Sequence, residues 1–525
     1  MSQHCRSSFC KIYKLWSSLH HTTPMHYFWT FCALVASLTP AAIAEFETTY
    51  HSSPLAIQPF TILERSADYD PDNTTLFLTC PVGIDVAQPG PTIYDSHGNL
   101  VWADPSLGSC SNLDLQTYEG ENYLTMWVGT GSPGTGQQTG SGNGIMLNSA
   151  YEIVRNVSAV NPEGTDAHEF NIVQPENKTA LVTAYHPIPL DLTSVGGPAD
   201  GWYLNALIQE IDIATGAVLF NWTSIDHIAF SESYNNLTQT GEGNTSALAW
   251  DAVHINSIAK DTAGNYLVSA RHTQTVYKIH SNGTILWRLG GKTSDFTFIG
   301  NNTEFHWQHH ARWHADETQI SVFDDGAAVI ETTILIDEPV ASGKFLTIDE
   351  DAMTASLAAR FLPSPNSGPA LAEGSTTLYG STVVTGYGVN PWVMVQDFST
   401  GAVLLSAIIG PNTTLPFGSI TNYRAFQMST AQFVGRPKQP PSVALVGGDV
   451  FVSWNGATNV AEWALFTGTD PKDVTKKVTT VHKTGFETQI SGAGTSAFIA
   501  VAALAADGTT LGKSAVYSTS NGTVV

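Results

Sequence analysis

The stretch of sequence that decides the fold is residues 254–291, HINSIAKDTAGNYLVSARHTQTVYKIHSNGTILWRLGG. It contains two turns with glycine, at Gly264 and Gly283, and each turn lies between segments in which apolar residues alternate with polar ones. Glycine allows the positive φ that a tight hairpin turn requires, so each turn predicts a β-hairpin. Two successive hairpins predict one four-stranded antiparallel sheet.

The same strand-turn-strand pattern returns elsewhere in the chain, often with Trp in its last strand. Further copies lie at residues 93–103, 146–157, 211–222 and 395–408. Four-stranded units repeated roughly every 40 to 50 residues are typical of a β-propeller, in which each sheet buries its faces against its neighbours. We predict six blades: five units between about Leu113 and Ile409, and a sixth that combines residues 76–102 with residues 423–434 and closes the ring.

The pattern changes at residues 436–441, RPKQPP, whose prolines are typical of a linker. After this linker, short strands separated by Gly, Asp-Gly and Asn-Gly turns predict a fibronectin type III or immunoglobulin-like β-sandwich, with Trp454 in its core. We therefore predict an all-β protein in three parts: a signal peptide at residues 1–44, a six-bladed propeller at residues 45–436 and a sandwich at residues 437–525.

Residues 1–44 have the features of a secretory signal peptide. Basic residues precede an apolar run at residues 27–36, a stretch of small residues ends at Ala44, and no acidic residue occurs in this segment. Met25 opens a shorter signal and is an alternative start. We predict cleavage after Ala44 and secretion, with an uncleaved signal that tethers the protein to a membrane as the alternative.

The charge of the chain excludes one class of partner. Its 525 residues include 46 Asp and Glu against 22 Lys and Arg, a formal net charge of −24. A surface of this sign repels a phosphate backbone, so nucleic acid is not an expected partner. No later segment is apolar over the about 20 residues that a spanning helix needs, so no membrane association is expected after the signal is removed.

The cysteines and the N-glycosylation sequons also favour a secreted protein. Removal of residues 1–44 leaves Cys80 and Cys110, and two cysteines in a chain bound for an oxidising compartment predict a disulfide. Asn-x-Ser/Thr sequons predict N-glycosylation. They begin at Asn73, Asn156, Asn177, Asn221, Asn236, Asn244, Asn282, Asn301, Asn412 and Asn521.

Histidines recur at one position of the predicted propeller. His168, His254 and His309 each stand where the inner strand of a blade begins, in three successive blades. Arg271 ends the inner hairpin of the second of these blades. A lone histidine at a strand start is usually structural, but three in register beside an arginine predict a functional cluster in the central funnel.

Neighbouring polar and aromatic residues extend this cluster. Glu169 and Asp251 are candidates to orient the imidazoles, and His310 is a second candidate catalytic histidine. Aromatic walls suit an aromatic substrate, although Trp250, Trp307 and Trp313 equally suit packing between blades. The candidate substrate-binding residues are Trp307, Trp250, Asn256 and His272.

Several motifs occur in a fixed order along residues 166–436: DAHEF, HINS, SARH, QHHARW and, between the last two, ILWRLGG. In this order they resemble the arylsulfotransferase (arylsulfate sulfotransferase) family, in its fungal branch. The resemblance implies a six-bladed propeller that moves a sulfuryl group from one phenol to another through a sulfated histidine, without a nucleotide sulfate donor. It implies His309 as nucleophile, with His168, His254 and Arg271 around the sulfate. Fungal relatives usually have Asp at the position of His310, so either adjacent histidine remains a candidate.

The chemistry of these residues suits sulfuryl transfer. A neutral imidazole is a nucleophile that carries a transferred group, and an arginine fork stabilises the negative charge of a loose transition state. His254 or His168 is the expected proton donor to the leaving phenolate. No GxxxxGK[ST] loop occurs, so neither a nucleotide donor nor another cofactor is expected.

Two other functions fit the same residues. His306, His309, His310 and His314 lie close in sequence, but their spacing is not that of a tetrahedral metal site, and adjacent strand residues point to opposite faces. No metal is therefore expected. Alternatively, the propeller binds an aromatic metabolite, a glycan or a protein without turnover, or catalyses another reaction. The preferred hypothesis is an enzyme with a small aromatic substrate, a phenol or an aryl sulfate.

Overall fold

The computed structural model describes residues 46–131, 139–237, 241–330, 333–364, 368–413, 418–492 and 496–525. The predicted signal peptide lies outside the described residues. The described residues confirm the all-β class, because their helices are single 3₁₀ turns, at Pro105–Leu107, Thr193–Val195, Ser224–Asp226, Phe230–Glu232 and Ser246–Leu248. A search of the described residues for a helix with the length and apolarity of a membrane span finds none.

Six sheets of four or five strands succeed one another in the described part of the chain, and we call them A to F. Sheet A contains, in spatial order, Phe426–Ser429, Thr75–Thr79, Thr92–Asp95 and Leu100–Ala103. Sheet B contains Cys110–Tyr118, Glu121–Thr130, Ser141–Leu147 and Ile153–Val157. Sheet C contains Phe170–Ile172, Thr179–Leu190, Gly201–Asp212 and Val218–Thr223.

The remaining three sheets have the same antiparallel order, and two of them gain a fifth strand. Sheet D contains Ile255–Lys260, Tyr266–Ala270, Thr275–Ile279 and Ile285–Gly290. Sheet E contains His309–His314, Gln319–Asp324, Ser342–Asp349, Thr354–Phe361 and the parallel strand Thr297–Ile299. Sheet F contains Ser375–Tyr379, Thr382–Gly386, Trp392–Asp397, Val403–Ile409 and Phe60–Arg65.

Sheet D shows how the local sequence builds these units. Its inner turn is held by Asp261, whose carboxylate accepts the backbone N–H of Asn265 at 2.7 Å. Gly264 has a φ of +88° there, a conformation that costs glycine little. Across the second turn, which contains Gly283, Ile279 pairs with Ile285. Both of the predicted hairpins are therefore present.

Apolar clusters fill the spaces between neighbouring sheets. Between sheets C and D, the cluster includes Tyr203, Trp250, Ile258 and Tyr277, all nearly inaccessible to solvent. Other clusters lie between A and B, B and C, D and E, E and F, and F and A. Each fully buried large side chain contributes roughly 1.5 to 3 kcal/mol, so every sheet is stabilised by both of its neighbours.

The first sheet is completed by a strand from near the end of this series. Phe426–Ser429 pairs with Thr75–Thr79, with Phe426 opposite Leu78, as the sequence predicted for residues 423–434. The same strand contacts the first strand of sheet B on one side and Thr382–Gly386 of sheet F on the other. Contacts between sheets therefore run from A to F and return to A.

The predicted disulfide is present. Cys80 follows the strand Thr75–Thr79 of sheet A, Cys110 begins the first strand of sheet B, and their sulfur atoms are bonded. The bond therefore joins two neighbouring sheets, A and B.

Two more sheets follow residue 441. One contains Ser442–Val446, Asp449–Ser453 and Glu487–Ile490; the other contains Lys476–His482, Glu462–Gly468, Phe498–Leu504, Thr510–Lys513 and Tyr517–Ser518. The tryptophan buried between them is Trp463, which is 1% exposed. The prediction for Trp454 was wrong, since this residue is only partly buried and its indole N–H donates to the carbonyl of Gln439 at 2.6 Å.

These C-terminal sheets pack on sheets A and B within one compact unit that spans residues 46–525. The ring of Tyr151 stacks on Trp102 at 4.6 Å between centroids, and its hydroxyl donates to the carbonyl of Gly456 at 2.7 Å. Asn455 exchanges two hydrogen bonds with the backbone of Ala103. A side chain at position 456 would meet the Tyr151 ring at 2.4 Å, so this close approach requires glycine.

Three short two-stranded pairs complete the described structure. They are Thr48–Thr49 with Ala56–Ile57, Pro81–Val82 with Thr421–Asn422, and Ala327–Ile330 with Thr333–Ile336.

Candidate active site

Three neighbouring sheets bring their first histidines together. His168 precedes the first strand of sheet C, His254 precedes that of sheet D, and His309 opens that of sheet E. The rings of His168 and His254 are 4.8 Å apart between centroids. Tyr423 lies just before the closing strand of sheet A. Its ring contacts those of His168 and His309, at 5.6 and 6.2 Å between centroids.

Each of these imidazoles is held by an aspartate. The Nδ1 atoms of His168, His254 and His309 lie at 2.5, 2.6 and 2.6 Å from the carboxylates that hold them. A carboxylate oxygen accepts, so each Nδ1 carries the hydrogen and each Nε2 of a neutral ring carries a lone pair. The three carboxylates belong to Asp166, Asp251 and Asp325.

Two of the three rings are kept neutral by their surroundings. Burial, followed by the positive charge of Arg271, holds the pKa of His309 well below its usual range. Burial, followed by His168, does the same to the pKa of His254. Both rings are therefore unprotonated at neutral pH, with an Nε2 lone pair available to a ligand.

The backbone at His254 is held in a conformation that histidine rarely adopts. Its φ is 55°, in the left-handed region, and its N–H donates to Asp251 Oδ1 at 3.0 Å. A bulge follows between Ile255 and Ser257. Strain of this kind costs about 1 to 3 kcal/mol and persists where the surrounding structure fixes it, typically at functional sites.

Arg271 is a buried cation beside these rings. It is 6% exposed, and it donates from Nη1 to His272 Nε2 at 3.1 Å and from Nη2 to the carbonyl of Leu371 at 2.7 Å. Its Nε has no hydrogen-bond partner, and it forms no ion pair with a carboxylate in the described residues. A buried guanidinium without a contacting counter-ion is suited to bind an anion.

Two residues fix the direction of the guanidinium. Arg271 lies over the ring of Trp307 at 5.6 Å, and the Trp307 indole N–H donates to Asp337 at 2.7 Å. His272 donates from Nδ1 to the carbonyl of Asp251 at 2.6 Å and accepts from Arg271, so its ring must be neutral. Burial accordingly lowers the pKa of His272 to about 3.

The remaining predicted orienting residue, Glu169, has another partner. The prediction that it orients a histidine was wrong, because its carboxylate pairs with Arg424 at 3.1 Å and with Arg312 at 2.8 Å. Glu169 also accepts the backbone N–H of Ile258 at 3.0 Å. This buried network lies where the first strands of four sheets meet and holds them together.

Two predicted substrate-binding residues lie outside the histidine cluster. Trp250 belongs to the apolar core between sheets C and D, where its indole N–H donates to the carbonyl of Asn235 at 2.8 Å. Asn256 joins sheets D and E, since its amide donates to the carbonyl of Gln308 at 2.7 Å. Both side chains are buried, and the structure gives Trp250 a packing role rather than a place beside the histidines.

His309 and His310 face different spaces. His309 points to the cluster with His168 and Tyr423, whereas the His310 ring contacts Phe426 at 5.6 Å. Its Nδ1 lies 3.3 Å from the carbonyl of Thr376. His310 lines a separate cavity of about 230 Å³, together with Asn112, Asp114, Gln116, Glu169, Phe170, Asn171, Arg312, Trp313, His314, Thr377, Arg424 and Phe426.

Sequence reasoning missed several members of the site. Asp166 was visible as a residue close before His168, but Asp325 lies 16 residues after its histidine. Tyr423 and Arg424 belong to the closing segment, and nothing in their local sequence indicates the contact with sheets C to E. Glu373 was also missed; it is buried just before the first strand of sheet F.

One group could offer three ligand atoms to a metal. The ligand atoms of Asp251, His254 and His272 lie within 4.8 Å of one another. Hydrogen bonds among these residues account for their proximity, and Arg271 already occupies His272 Nε2. The four histidines weighed from sequence as a metal site do not form such a group in the described residues, where His306 bonds Gln274 and His314 bonds Ser321.

Comparison with known proteins identifies one family. The family model of arylsulfotransferase (ASST) matches residues 114–409. No curated protein matches the chain.

Solved structures of low similarity were also found. A protein of unknown function from Bacteroides caccae is 14% identical over 68% of this chain and 99% of its own, with a TM-score of 0.38. The periplasmic gluconolactonase PpgL of Pseudomonas aeruginosa is 12% identical over 66% and 99%, with a TM-score of 0.34. The Dos1 propeller is 11% identical over 78% and 80%, with a TM-score of 0.30. Scores this low carry no argument about function.

Proposed function

The chain belongs to the arylsulfotransferase family, and from this premise we propose that it moves a sulfuryl group from an aryl sulfate to a phenolic acceptor through a sulfated His309. The observation that carries the proposal is the buried guanidinium of Arg271, which among the described residues has an unpartnered Nε and no contacting carboxylate. It lies beside neutral imidazoles that contact their aspartates through Nδ1 and not through Nε2. A sulfate ester supplies the contacting anion that this guanidinium lacks.

Arg271 is the group that binds the sulfate oxygens. Sulfuryl transfer passes through a loose transition state with negative charge on the oxygens that do not react, as in phosphoryl transfer. A guanidinium already held by Trp307 and His272 stabilises this charge without reorganisation. The His168 and His254 rings border the same space.

His309 is the nucleophile. The bond from its Nε2 to sulfur forms as the bond from sulfur to the phenolic oxygen breaks, which leaves sulfohistidine and a phenol once the leaving oxygen has gained a proton. Asp325 stabilises the positive charge that develops on the ring, because it accepts from Nδ1. The acceptor phenol then attacks the same sulfur, and His309 leaves as the neutral ring.

We also propose how the sheets are organised into domains. Sheets A to F are the blades of one six-bladed propeller, which the contacts from A to F and back to A support. Residues 437–525 are an immunoglobulin-like sandwich, supported by two sheets around the Trp463 core. An experimental structure with another number of blades would contradict this assignment.

The protein is secreted after cleavage at Ala44 and is N-glycosylated, as in a fungal branch of the family. The disulfide and the positions of the sequons support this, because eight of the ten sequon asparagines are exposed and the two exceptions, Asn73 and Asn177, are half-buried. Expression in a eukaryotic host should give a mature chain that begins at Glu45 and loses mass with an endoglycosidase. A mature chain that begins at Met1 or Met25 would support the tethered alternative.

The activity is tested by incubating the secreted protein with p-nitrophenyl sulfate and phenol. We expect release of nitrophenol, formation of phenyl sulfate and a sulfate adduct on the peptide that contains His309. His309→Ala should abolish turnover and adduct, whereas the matched variant His310→Ala should retain both. Folded wild-type protein that is inactive across a panel of aryl sulfates and phenols would refute the proposal and favour a propeller that binds a ligand without turnover.

A further inference from the structure

Glu373 occupies in sheet F the position that the histidines occupy in their own sheets. It lies two residues before the strand Ser375–Tyr379, as His168 lies two residues before Phe170–Ile172. It also follows closely after Leu371, whose carbonyl accepts from Arg271 at 2.7 Å. Glu373 therefore belongs to the same ring of side chains, although no sequence motif indicated it.

The surroundings of Glu373 are unusual for a carboxyl group. It is 4% exposed, its φ of 71° lies in the left-handed region, and its Oε2 is buried without a hydrogen-bond partner in the described residues. A buried polar atom left unpartnered is destabilising, and such atoms in native proteins call for an explanation. A ligand in the site would supply the missing partner.

The charged and titratable groups that face Glu373 are those of the proposed site. Arg271 acts on it from sheet D, and Glu373 in turn acts on Asp325 beside sheet E and on Tyr423 before sheet A. Burial raises the pKa of Glu373 to about 8, while Arg271 opposes the rise. At neutral pH the residue holds a proton, and it has a cation nearby to stabilise the carboxylate once that proton has left.

We propose that Glu373 is the acid and base of the transfer, an inference that rests on the proposed function. In the first step, the Glu373 hydroxyl gives its proton to the phenolic oxygen as the sulfur–oxygen bond breaks and the bond from His309 Nε2 to sulfur forms. In the second step, the acceptor phenol returns a proton to the Glu373 carboxylate as its oxygen attacks sulfur and the nitrogen–sulfur bond breaks. The protons balance over the cycle.

The other candidates are less suited to this task. His254 or His168 was expected to donate the proton. The pKa of His254 lies well below its usual range because of burial and His168, and its Nδ1 hydrogen is held by Asp251, so its Nε2 has no proton to give. Burial raises the pKa of Tyr423 above its usual range, which makes its hydroxyl a weak acid. His168 is already held by Asp166, and it serves as the comparison in the test below.

The test compares two sulfate donors whose leaving groups differ in their need for a proton from an acid. Phenyl sulfate releases a phenolate whose conjugate acid has a pKa of about 10, like that of tyrosine, whereas the nitrophenolate leaves readily without a proton. In a two-step transfer, kcat/KM for the donor reports the first step alone. We expect Glu373→Gln to lower kcat/KM for phenyl sulfate about 100-fold or more but that for p-nitrophenyl sulfate by less than about tenfold.

Controls separate this inference from the proposed function. Wild-type protein that transfers from neither donor refutes the proposed function itself. If the wild-type protein is active but Glu373→Gln lowers kcat/KM equally for both donors, the role of Glu373 is overturned. It is also overturned if His168→Gln, rather than Glu373→Gln, shows the loss specific to phenyl sulfate. Glu373→Asp keeps an acid and should recover part of the phenyl sulfate activity, and thermal unfolding checks that each variant is folded.

A pH profile of the wild-type protein tests the inference without a variant. Turnover of phenyl sulfate should be constant near neutrality and fall as pH rises through about 8, where Glu373 loses its proton, while turnover of p-nitrophenyl sulfate should change much less. The fall should be absent in Glu373→Gln. Parallel profiles for both donors in the wild-type protein would overturn the inference.

Discussion

The Nδ1 atom of His309 lies 2.6 Å from Oδ2 of Asp325, a residue that is itself completely buried. The preceding residue, Asp324, forms an ion pair with Lys344 at 2.6 Å, and the side chains of both residues are inaccessible to solvent. Two adjacent aspartates therefore have different partners. Asp325 accepts from an imidazole, whereas a lysine compensates the charge of Asp324 directly.

Asp325→Asn should lower kcat about 10²- to 10⁴-fold, by analogy with the aspartate of a catalytic triad. An amide donates where the carboxylate accepts, so the His309 hydrogen moves to Nε2 and the lone pair is lost to the reaction. Steady-state kinetics with p-nitrophenyl sulfate measure the effect.

Asp324→Asn is the matched control for this prediction. It breaks the buried pair with Lys344 and should reduce the free energy of unfolding by about 3 to 5 kcal/mol, with a smaller effect on turnover of the folded fraction. Full activity in Asp325→Asn would contradict the role given to this aspartate.

Arg271→Lys should reduce kcat/KM for the donor about 10²- to 10³-fold, the usual cost of losing one donor to a developing oxyanion. Lysine keeps the charge but lacks Nε and the planar fork, so it cannot bond His272, Leu371 and the sulfate together.

The control for Arg271 is Arg312→Lys, which changes an arginine of the separate cavity that His310 lines. This variant should affect stability more than kcat/KM, because Arg312 pairs with Glu169. Equal kinetic losses in the two variants would show that Arg271 has no special relation to the donor.

Acid should destabilise the protein through its buried neutral histidines. Burial lowers the pKa of His272 to about 3, whereas in the unfolded chain it is about 6.5. Between these two pH values the unfolded chain therefore binds more protons than the folded protein. Stability from this residue is present above pH 6.5 and is lost as pH falls, by about 2 kcal/mol at pH 5.

Urea denaturation of wild type and His272→Gln at pH 7 and pH 5 measures this loss. The variant should lose less stability than the wild type over the same interval, because it has no imidazole to protonate. An equal loss in both proteins would assign the acid sensitivity to other groups, such as His314, whose pKa burial lowers to about 4.

Local sequence predicted much of the fold for a physical reason. The turns at Gly264 and Gly283 and the alternation around them are properties of neighbouring residues, so residues 254–291 could be interpreted without the rest of the chain. The closing strand was also predictable, because residues 76–102 are a unit with a missing strand.

The site was predictable only in part. The histidines mark the start of each strand, but the bulge between His309 and Arg312 decides which of the two adjacent rings faces the cluster, and such a register change has no signal in the sequence. Asp325 reaches His309 only through the pairing of two strands, and Tyr423 reaches it only through closure of the ring. Their contribution depends on tertiary structure.

The strand Phe426–Ser429 has a consequence for the order of events during synthesis. A ribosome has already made all three histidines, Arg271 and Glu373 when it reaches residue 422, yet sheet A still lacks its inner strand. Tyr423 and Arg424 arrive with that strand, and Arg424 then reaches Glu169 across the ring. The contacts of Tyr423 and Arg424 with the other sheets therefore form only after the whole series of sheets has been synthesised, so the histidine cluster cannot be completed sheet by sheet during synthesis.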